Sequence, residues 1–183
     1  MFSGKTSKLL EIYKQCVFCD IPVVIINHSL DIRYHDTMVS SHDKIMAPCI
    51  QTTAINNIWS AQYSEIENSD AYAKIQKADV VLINEAQFFN DLYTGVASML
   101  DAGKKVYVCG LDGDFQRQKF GQICELIPLC DKITKLTSLC GLCKNGNIGI
   151  FSMRLTNDKE QTLIGSNNYI PVCRKCYKTS QSI

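Results

Sequence analysis

The chain has little net charge, no long apolar run and no internal repeat. Its 19 Lys and Arg against 18 Asp and Glu leave a formal charge of +1 over 183 residues, which gives no support for a general polyanion binder. The longest apolar stretches, such as residues 21–26 and 80–83, fall far short of the roughly 18 residues a membrane span needs. Met1-Phe2-Ser3-Gly4-Lys5-Thr6-Ser7-Lys8 holds no apolar segment followed by a small-residue cleavage site. No signal peptide is visible, and a cytoplasmic chain is expected. The three histidines, His28, His35 and His42, show no metal spacing and read as loop residues.

What the sequence does have is core-forming material and many cysteines. Apolar residues make up 46% and charged residues 20%, a mix that argues for a packed core against disorder. At about 150 residues per domain, the length suits one domain with a small appendage. Ten cysteines in a chain of this length fall short of a disulfide scaffold. Without a secretion signal, metal binding is the first reading of any regularly spaced pair.

Three runs read as buried strands: Pro22-Val23-Val24-Ile25-Ile26, Asp79-Val80-Val81-Leu82-Ile83 and Lys105-Val106-Tyr107-Val108-Cys109. Each is rich in β-branched residues and lacks strict alternation, as strands covered on both faces do. Residues 7–19 place Leu9, Leu10, Ile12, Tyr13 and Cys16 at helical spacing, and residues 92–102 do the same with Leu92, Val96, Met99 and Leu100. Gly103 then reads as a helix stop. Strands alternating with helices predict an α/β fold, a parallel sheet covered by helices. After about residue 135 the texture shifts to Cys, Gly, Asn and short strand-like pieces at 149–155 and 161–164. The expected division is residues 1–135 as the α/β domain, 136–177 as a small second lobe and 178–183 as a polar tail.

Met1-Phe2-Ser3-Gly4-Lys5-Thr6 matches the second half of the G-x-x-x-x-G-K-[ST] phosphate loop. In that chemistry Gly4 lets backbone N–H groups approach phosphate, Lys5 reaches the β/γ-phosphates, and the Thr6 hydroxyl ligates Mg²⁺. A helix opening at Thr6 or Ser7 adds its positive end. The motif's leading glycine and the strand expected before it are not in the sequence, so the sheet is expected to lack that member. The second strand run leads into Asn84-Glu85-Ala86-Gln87-Phe88-Phe89. There Glu85 is a carboxylate at a strand's C-terminal end, where sheet ligands bind. Asn84 stands where many such enzymes carry Asp and offers an acceptor without negative charge.

Cys140-Gly-Leu-Cys143 and Cys173-Arg-Lys-Cys176 are two C-x-x-C pairs separated by residues 144–172. Two such knuckles complete a closed tetrahedral four-thiolate site, which points to structural zinc, with a longer loop between the pairs than is usual. Cys16-Val-Phe-Cys19 is a third pair with no partner knuckle; it reads as packing groups at a helix end, with a redox dithiol as the minority reading.

Taken together, Met1-Phe-Ser-Gly-Lys-Thr6, Asp31-Ile-Arg33-Tyr34, Glu85-Ala-Gln-Phe-Phe89, Leu111-Asp-Gly-Asp-Phe-Gln-Arg117, Lys135-Leu-Thr137 and the paired C-x-x-C motifs resemble the type II, zinc-containing thymidine kinases over essentially the whole chain. The resemblance implies a P-loop (RecA-like) domain with a C-terminal zinc-ribbon or lasso lobe. It implies ATP- and Mg²⁺-dependent phosphorylation of the 5′-hydroxyl of thymidine, and of deoxyuridine, in DNA precursor salvage. It assigns ATP and Mg²⁺ to Met1, Phe2, Ser3, Gly4, Lys5, Thr6, Asp31, Ile32, Arg33, Asn84 and Gln87, and makes Glu85 the acceptor of the hydroxyl proton. Lys5 and Arg33 are the catalytic cations, with Arg117 and Arg154 behind Arg33. Nucleoside contacts fall on Leu111, Phe115, Phe120, Ser152, Gln161, Thr162, Leu163, Ile164, Gly165 and Tyr169, the later ones in a loop that closes over the nucleoside. A homotetramer inhibited by thymidine triphosphate is also implied, with neither nucleic acid nor membrane as partner.

Two other functions stay open on the residues alone. The half loop and Asn84 fit a nucleoside-binding relative without turnover. The cysteine pairs with Arg174, Lys175 and Lys178 fit a zinc-ribbon nucleic-acid binder, against which the near-neutral charge and the lack of interleaved aromatics count.

Overall fold

A computed structural model of the chain describes residues 2–31, 37–40, 44–60, 69–163 and 168–180. Its centre is a four-stranded sheet made of β1 (Val23–His28), β4 (Ile50–Thr52), β5 (Val80–Asn84) and β6 (Lys105–Val108), in the order β4-β1-β5-β6. Every pairing is parallel: Ile25 lies opposite Leu82, and Ile83 opposite Val108. The expected α/β class and the three predicted strands are present. The short strand β4 adds a fourth, which pairs Ile26 with Ile50 at one sheet edge.

The strands read as unbroken apolar runs because both faces of the sheet are covered. Side chains alternate between faces. Val24, Ile26, Val81 and Ile83 join one core, with Trp59, Ile75, Phe89, Leu92 and Met99. Ile25, Val80 and Leu82 join the other, with Leu9, Leu10 and Cys16. Helix α1 (Lys5–Phe18) covers the second face alongside a hairpin of β2 (Met38–Ser40) and β3 (Met46–Pro48). Helices α2 (Asn56–Trp59), α3 (Ser69–Lys77) and α4 (Leu92–Asp101) cover the first. Gly103 ends α4 as expected, at φ +78 with its N–H on the Leu100 carbonyl. In contrast to β1 and β5, β6 is a half-exposed edge strand.

The C-terminal part is built from two small antiparallel ribbons. One joins β7 (Ser138–Leu139) to β8 (Ile148–Gly149); the other joins β9 (Phe151–Arg154) to β10 (Tyr169–Val172). Helix α5 (Arg174–Ser180) follows, carrying regular structure past Tyr177. The strand-like reading of 161–164 is corrected over its described part: residues 161–163 form no strand. The Gln161 carbonyl accepts from Arg154 and its side-chain amide donates to Asp114 in place of a ladder.

Two further readings change. His28 is not a loop residue; it closes β1 and is 4% exposed, its ring against Phe88 and Phe89. His35 and His42 lie outside the described residues. Of the third cysteine pair, Cys16 packs in the core as expected, whereas Cys19 is exposed just beyond α1. Among the described residues, no helix is long and apolar enough to cross a membrane.

Candidate active site

The C-terminal ends of β1 and β5 open into one cleft, the position where parallel sheets bind ligands. Phe2, Ser3, Gly4, Lys5, Thr6 and Ser7 form one wall, Leu30 and Asp31 extend it, and Glu85 and Gln87 lie across from it. Gly4 adopts φ +76, a left-handed conformation that residues with a Cβ rarely take. Space is not the constraint, since a Cβ there would meet nothing within 4 Å. The helix starts at Lys5, one residue ahead of the expected opening. No side chain caps its N-terminus, and no acidic residue sits in its first turn. Its first N–H groups and the Lys5 ammonium therefore present positive charge at the cleft.

Behind this wall runs a chain of polar side chains. Thr6 Oγ1 donates to Asn84 Oδ1 at 3.4 Å, Asn84 Nδ2 donates to Asn27 Oδ1 at 2.8 Å, and Asn27 Nδ2 reaches Asp31 Oδ2 at 3.4 Å. Asn84 and Asn27 are both 1% exposed. Asn84 is thus absent from the cleft surface, and it orients Thr6 through its carbonyl oxygen. Cys109 Sγ also donates to that oxygen, at 3.1 Å. Burial and the nearby Glu85 carboxylate push the Cys109 thiol up to about 12, with Lys5 acting the other way. It stays a neutral donor.

Glu85 follows β5 directly, in a left-handed conformation at φ 49, ψ 40, where it heads a 3-10 turn, Ala86–Phe88. Gln87 Nε2 donates to Glu85 Oε2 at 2.7 Å, while its Oε1 accepts from the Leu111 N–H at 3.0 Å. This amide ties the carboxylate to the Leu111 backbone. Gly121 makes the tie possible: a Cβ there would sit 2.2 Å from the Gln87 carbonyl oxygen.

The far end of the cleft is apolar and aromatic. Phe88, Leu111, Phe115, Phe120 and Tyr169 line it; Phe88 and Phe120 meet edge to face at 5.6 Å. Ser152, Gln161, Thr162 and Leu163 close it from the C-terminal side. The cleft thus gathers Phe2, Ser3, Gly4, Lys5, Thr6, Asp31, Glu85, Gln87, Leu111, Phe115, Phe120, Ser152, Gln161, Thr162, Leu163 and Tyr169 from the expected set. Met1, Ile32, Arg33, Ile164 and Gly165 lie outside the described residues. Arg117 and Arg154 are elsewhere: the Arg117 guanidinium stacks on Tyr177 at 4.7 Å and that of Arg154 on Phe115 at 3.8 Å.

Sequence reasoning passed over Ser7, Leu30, Phe88, Gly113 and Asp114. Asp114 is the most consequential. Its Oδ1 accepts from the N–H groups of Gln116 and Gln118, and its Oδ2 from Gln161 Nε2 at 2.7 Å. An Asp bonding the backbone two residues on was the available signal.

The ligand atoms of Cys140, Cys143, Cys173 and Cys176 all lie within 4.8 Å of one another. Tetrahedral zinc with Zn–S near 2.3 Å holds sulfurs about 3.8 Å apart, so the cluster fits that ion. The knuckles are fixed by backbone bonds, Gly141 N–H to Pro171 O at 2.8 Å and Cys140 N–H to Asn147 O at 2.7 Å. The Cys143 backbone N–H is the main cause that lowers Cys140 to about 6, the thiolate direction that metal ligation requires. Cys176 is pushed up to about 12, chiefly by burial. Four donors from two knuckles leave no open coordination position, which suits a structural metal.

An α/β sheet with a phosphate-loop helix and a carboxylate across the cleft defines the class, a nucleotide-dependent phosphotransferase of the P-loop fold. Comparison with known proteins narrows it. A family profile described as thymidine kinase matches residues 1–177. "Thymidine kinase a" of Arabidopsis thaliana is 40% identical over 185 residues, covering 100% of this chain and 74% of the plant protein. The thymidine kinase of sheeppox virus (strain KS-1) is 36% identical over 178 residues, 97% of this chain and 92% of its own length. That of Porphyromonas gingivalis (strain ATCC BAA-308 / W83) is 36% identical over 184 residues, 100% of this chain and 83% of its own. The chain belongs to the thymidine kinase family, and its activity is that of a thymidine kinase, with thymidine and ATP as substrates.

Proposed function

We propose that the cleft holds the ATP phosphates on the Phe2–Thr6 side and thymidine at the aromatic end, with Glu85 between them. One observation carries this reading: Lys5 and Glu85 face the same cleft, whose other end is built of Phe88, Phe115, Phe120 and Tyr169. Phosphoryl transfer asks the protein mainly for positioning and charge neutralisation. Lys5 and the α1 N–H groups supply the second, and Arg33 is assigned to it as well. Met1, Ile32 and Asp31 complete the phosphate side. Leu111, Ser152, Gln161, Thr162, Leu163, Ile164 and Gly165 complete the nucleoside side.

Glu85 accepts the proton of the 5′-hydroxyl as the phosphoryl group arrives, held in place by Gln87. Thr6 and Asp31 offer the hard oxygen donors that would suit Mg²⁺, with Asn84 orienting Thr6 from behind. Bound there with ATP, that ion offsets phosphate charge. The four cysteines hold structural zinc in the C-terminal lobe, whose residues close over the nucleoside and keep water from the γ-phosphate. Residues 1–135 and 136–177 act as separate units in this scheme, with 178–183 as a tail. The family resemblance further supports deoxyuridine as a second substrate, a homotetramer, inhibition by thymidine triphosphate, and a cytoplasmic place in DNA precursor salvage.

Glu85→Gln tests the assignment. Loss of the base lowers kcat about 10²- to 10⁴-fold, with zinc content and thermal midpoint unchanged. Full turnover in Glu85→Gln removes the residue from the base role.

A further inference from the structure

Arg154, on β9, is a guanidinium in an unusual place. It is 9% exposed, and among the described residues no carboxylate pairs with it. Nη1 donates to the carbonyls of Asp158, at 3.0 Å, and Glu160; Nη2 donates to the Gln161 carbonyl at 3.2 Å and to the Tyr169 hydroxyl. The plane lies over Phe115 at 3.8 Å and near Tyr169 at 5.1 Å. Nε is buried without a hydrogen-bond partner. Burying a cation with no counter-charge is costly, and here backbone carbonyls and ring faces carry the compensation.

What those partners share is location. Phe115, Tyr169 and Gln161 all line the aromatic end of the cleft. Phe115 comes from the loop after β6, Tyr169 from β10 and Gln161 from the segment between β9 and β10. One side chain therefore connects three pieces of wall that the fold brings in separately. Asp114 reinforces the join through Gln161 Nε2 at 2.7 Å.

We propose that Arg154 is a positioning residue that fixes the 158–161 segment and the Phe115 ring against each other, so that thymidine meets a preassembled wall. It acts through Phe115, Tyr169 and the backbone of 158–161, and has no part in neutralising phosphate charge. The inference rests on the reading that the aromatic end takes the nucleoside.

The experiment uses the zinc-loaded full chain. Arg154→Lys keeps the charge and loses the planar fork. It raises the thymidine KM roughly tenfold or more, because several charge-assisted bonds to the 158–161 carbonyls and Tyr169 are lost, while the ATP KM stays within about twofold. Exposed Lys159 lies inside the clasped segment, so trypsin cleavage there supplies a second readout. Thymidine slows cleavage in the parent protein and fails to in Arg154→Lys. If Arg154→Lys does not fold, Tyr169→Phe removes one acceptor alone and raises the thymidine KM about threefold. An unchanged thymidine KM, or equal rises for both substrates, overturns the positioning role. Absence of thymidine protection in the parent protein overturns the nucleoside reading instead, and the inference with it.

Discussion

The sheet and the C-terminal lobe meet at one cleft but are held together by different physics. The sheet buries Ile25, Ile26, Val81, Leu82 and Ile83 at 1% exposure or less, between two apolar layers. The lobe's own cluster has four buried residues, Cys140, Val172, Cys173 and Tyr177, and two of these belong to the four-cysteine cluster. Burial at about 25 cal/mol per Å² can hold the first region. The second is too small for that, and its four-cysteine cluster fits a structural zinc, which supplies on the order of 10 kcal/mol in sites of this type. The lesson is about division of labour. Glu85 sits at the end of β5 and Lys5 at the start of α1, which packs on the sheet, while the lobe contributes Ser152, Gln161, Thr162, Leu163 and Tyr169 to the same cleft.

The sharpest way to break this comparison is to remove one ligand. Cys173→Ser should abolish stoichiometric zinc and lower thymidine phosphorylation on the order of a hundredfold, because the wall carrying Gln161 and Tyr169 loses its placement. The far-UV circular dichroism of the sheet and of α1 should persist. Zinc analysis and dichroism on the same sample check it. Cooperative loss of all structure would show one folding unit, and the contrast drawn above would fall.

The converse change strikes the sheet. Leu82 is 0% exposed and packs with Leu9, Leu10 and Ile25. Leu82→Ala should cost about 2–5 kcal/mol through lost transfer energy and the cavity left behind, while the folded fraction keeps one zinc per chain. A urea midpoint measured beside zinc stoichiometry tests both halves. Zinc loss in step with the sheet would mean that the lobe leans on the core.

This contrast also explains what could be read from the residues alone. Strands β1 and β5 announce themselves because burial on both faces demands β-branched runs. The edge strand β4 does not: Ile50-Gln51-Thr52 is three residues long and only Thr52 is buried. The four lobe cysteines were legible from spacing, since metal geometry is local. That Phe2, Ser3, Gly4, Lys5 and Thr6 line one cleft was legible for the same reason, because one turn and one helix start place them together. The aromatic end was harder. Phe88 faces the cleft because of a 3-10 turn that no periodicity reports. Asp114 matters through a partner 47 residues away, and Arg154 through the carbonyls of Asp158, Glu160 and Gln161 and the Tyr169 hydroxyl. His28 looked like a loop residue because it ends its strand beside polar positions, yet Phe88 and Phe89 enclose it.

His28 yields the smallest effect and the cleanest separation of the two regions. Its Nδ1 accepts the Leu30 N–H at 3.1 Å, and its ring lies 4.6 Å from that of Phe89. Burial lowers its pKa below the ordinary histidine value, with the Thr53 backbone bond and the Asp91 and Glu85 charges opposing. The folded state therefore keeps His28 neutral where the unfolded chain, with pKa about 6.5, already takes up a proton. Below that pH the unfolded state binds more protons, so stability falls as pH falls, and it is full above about 6.5. His28→Gln should flatten that slope. The chain's single tryptophan, Trp59, sits in the core on the same side as Phe89, so its fluorescence follows the sheet and is silent about the cysteine cluster. Urea midpoints from Trp59 emission between pH 7.5 and 5.5, in excess zinc, should drop with acid in the parent protein and hold steadier in His28→Gln. Equal slopes in both would place the acid sensitivity of the sheet in groups other than His28, and the buried imidazole would then have no part in the contrast between the two regions.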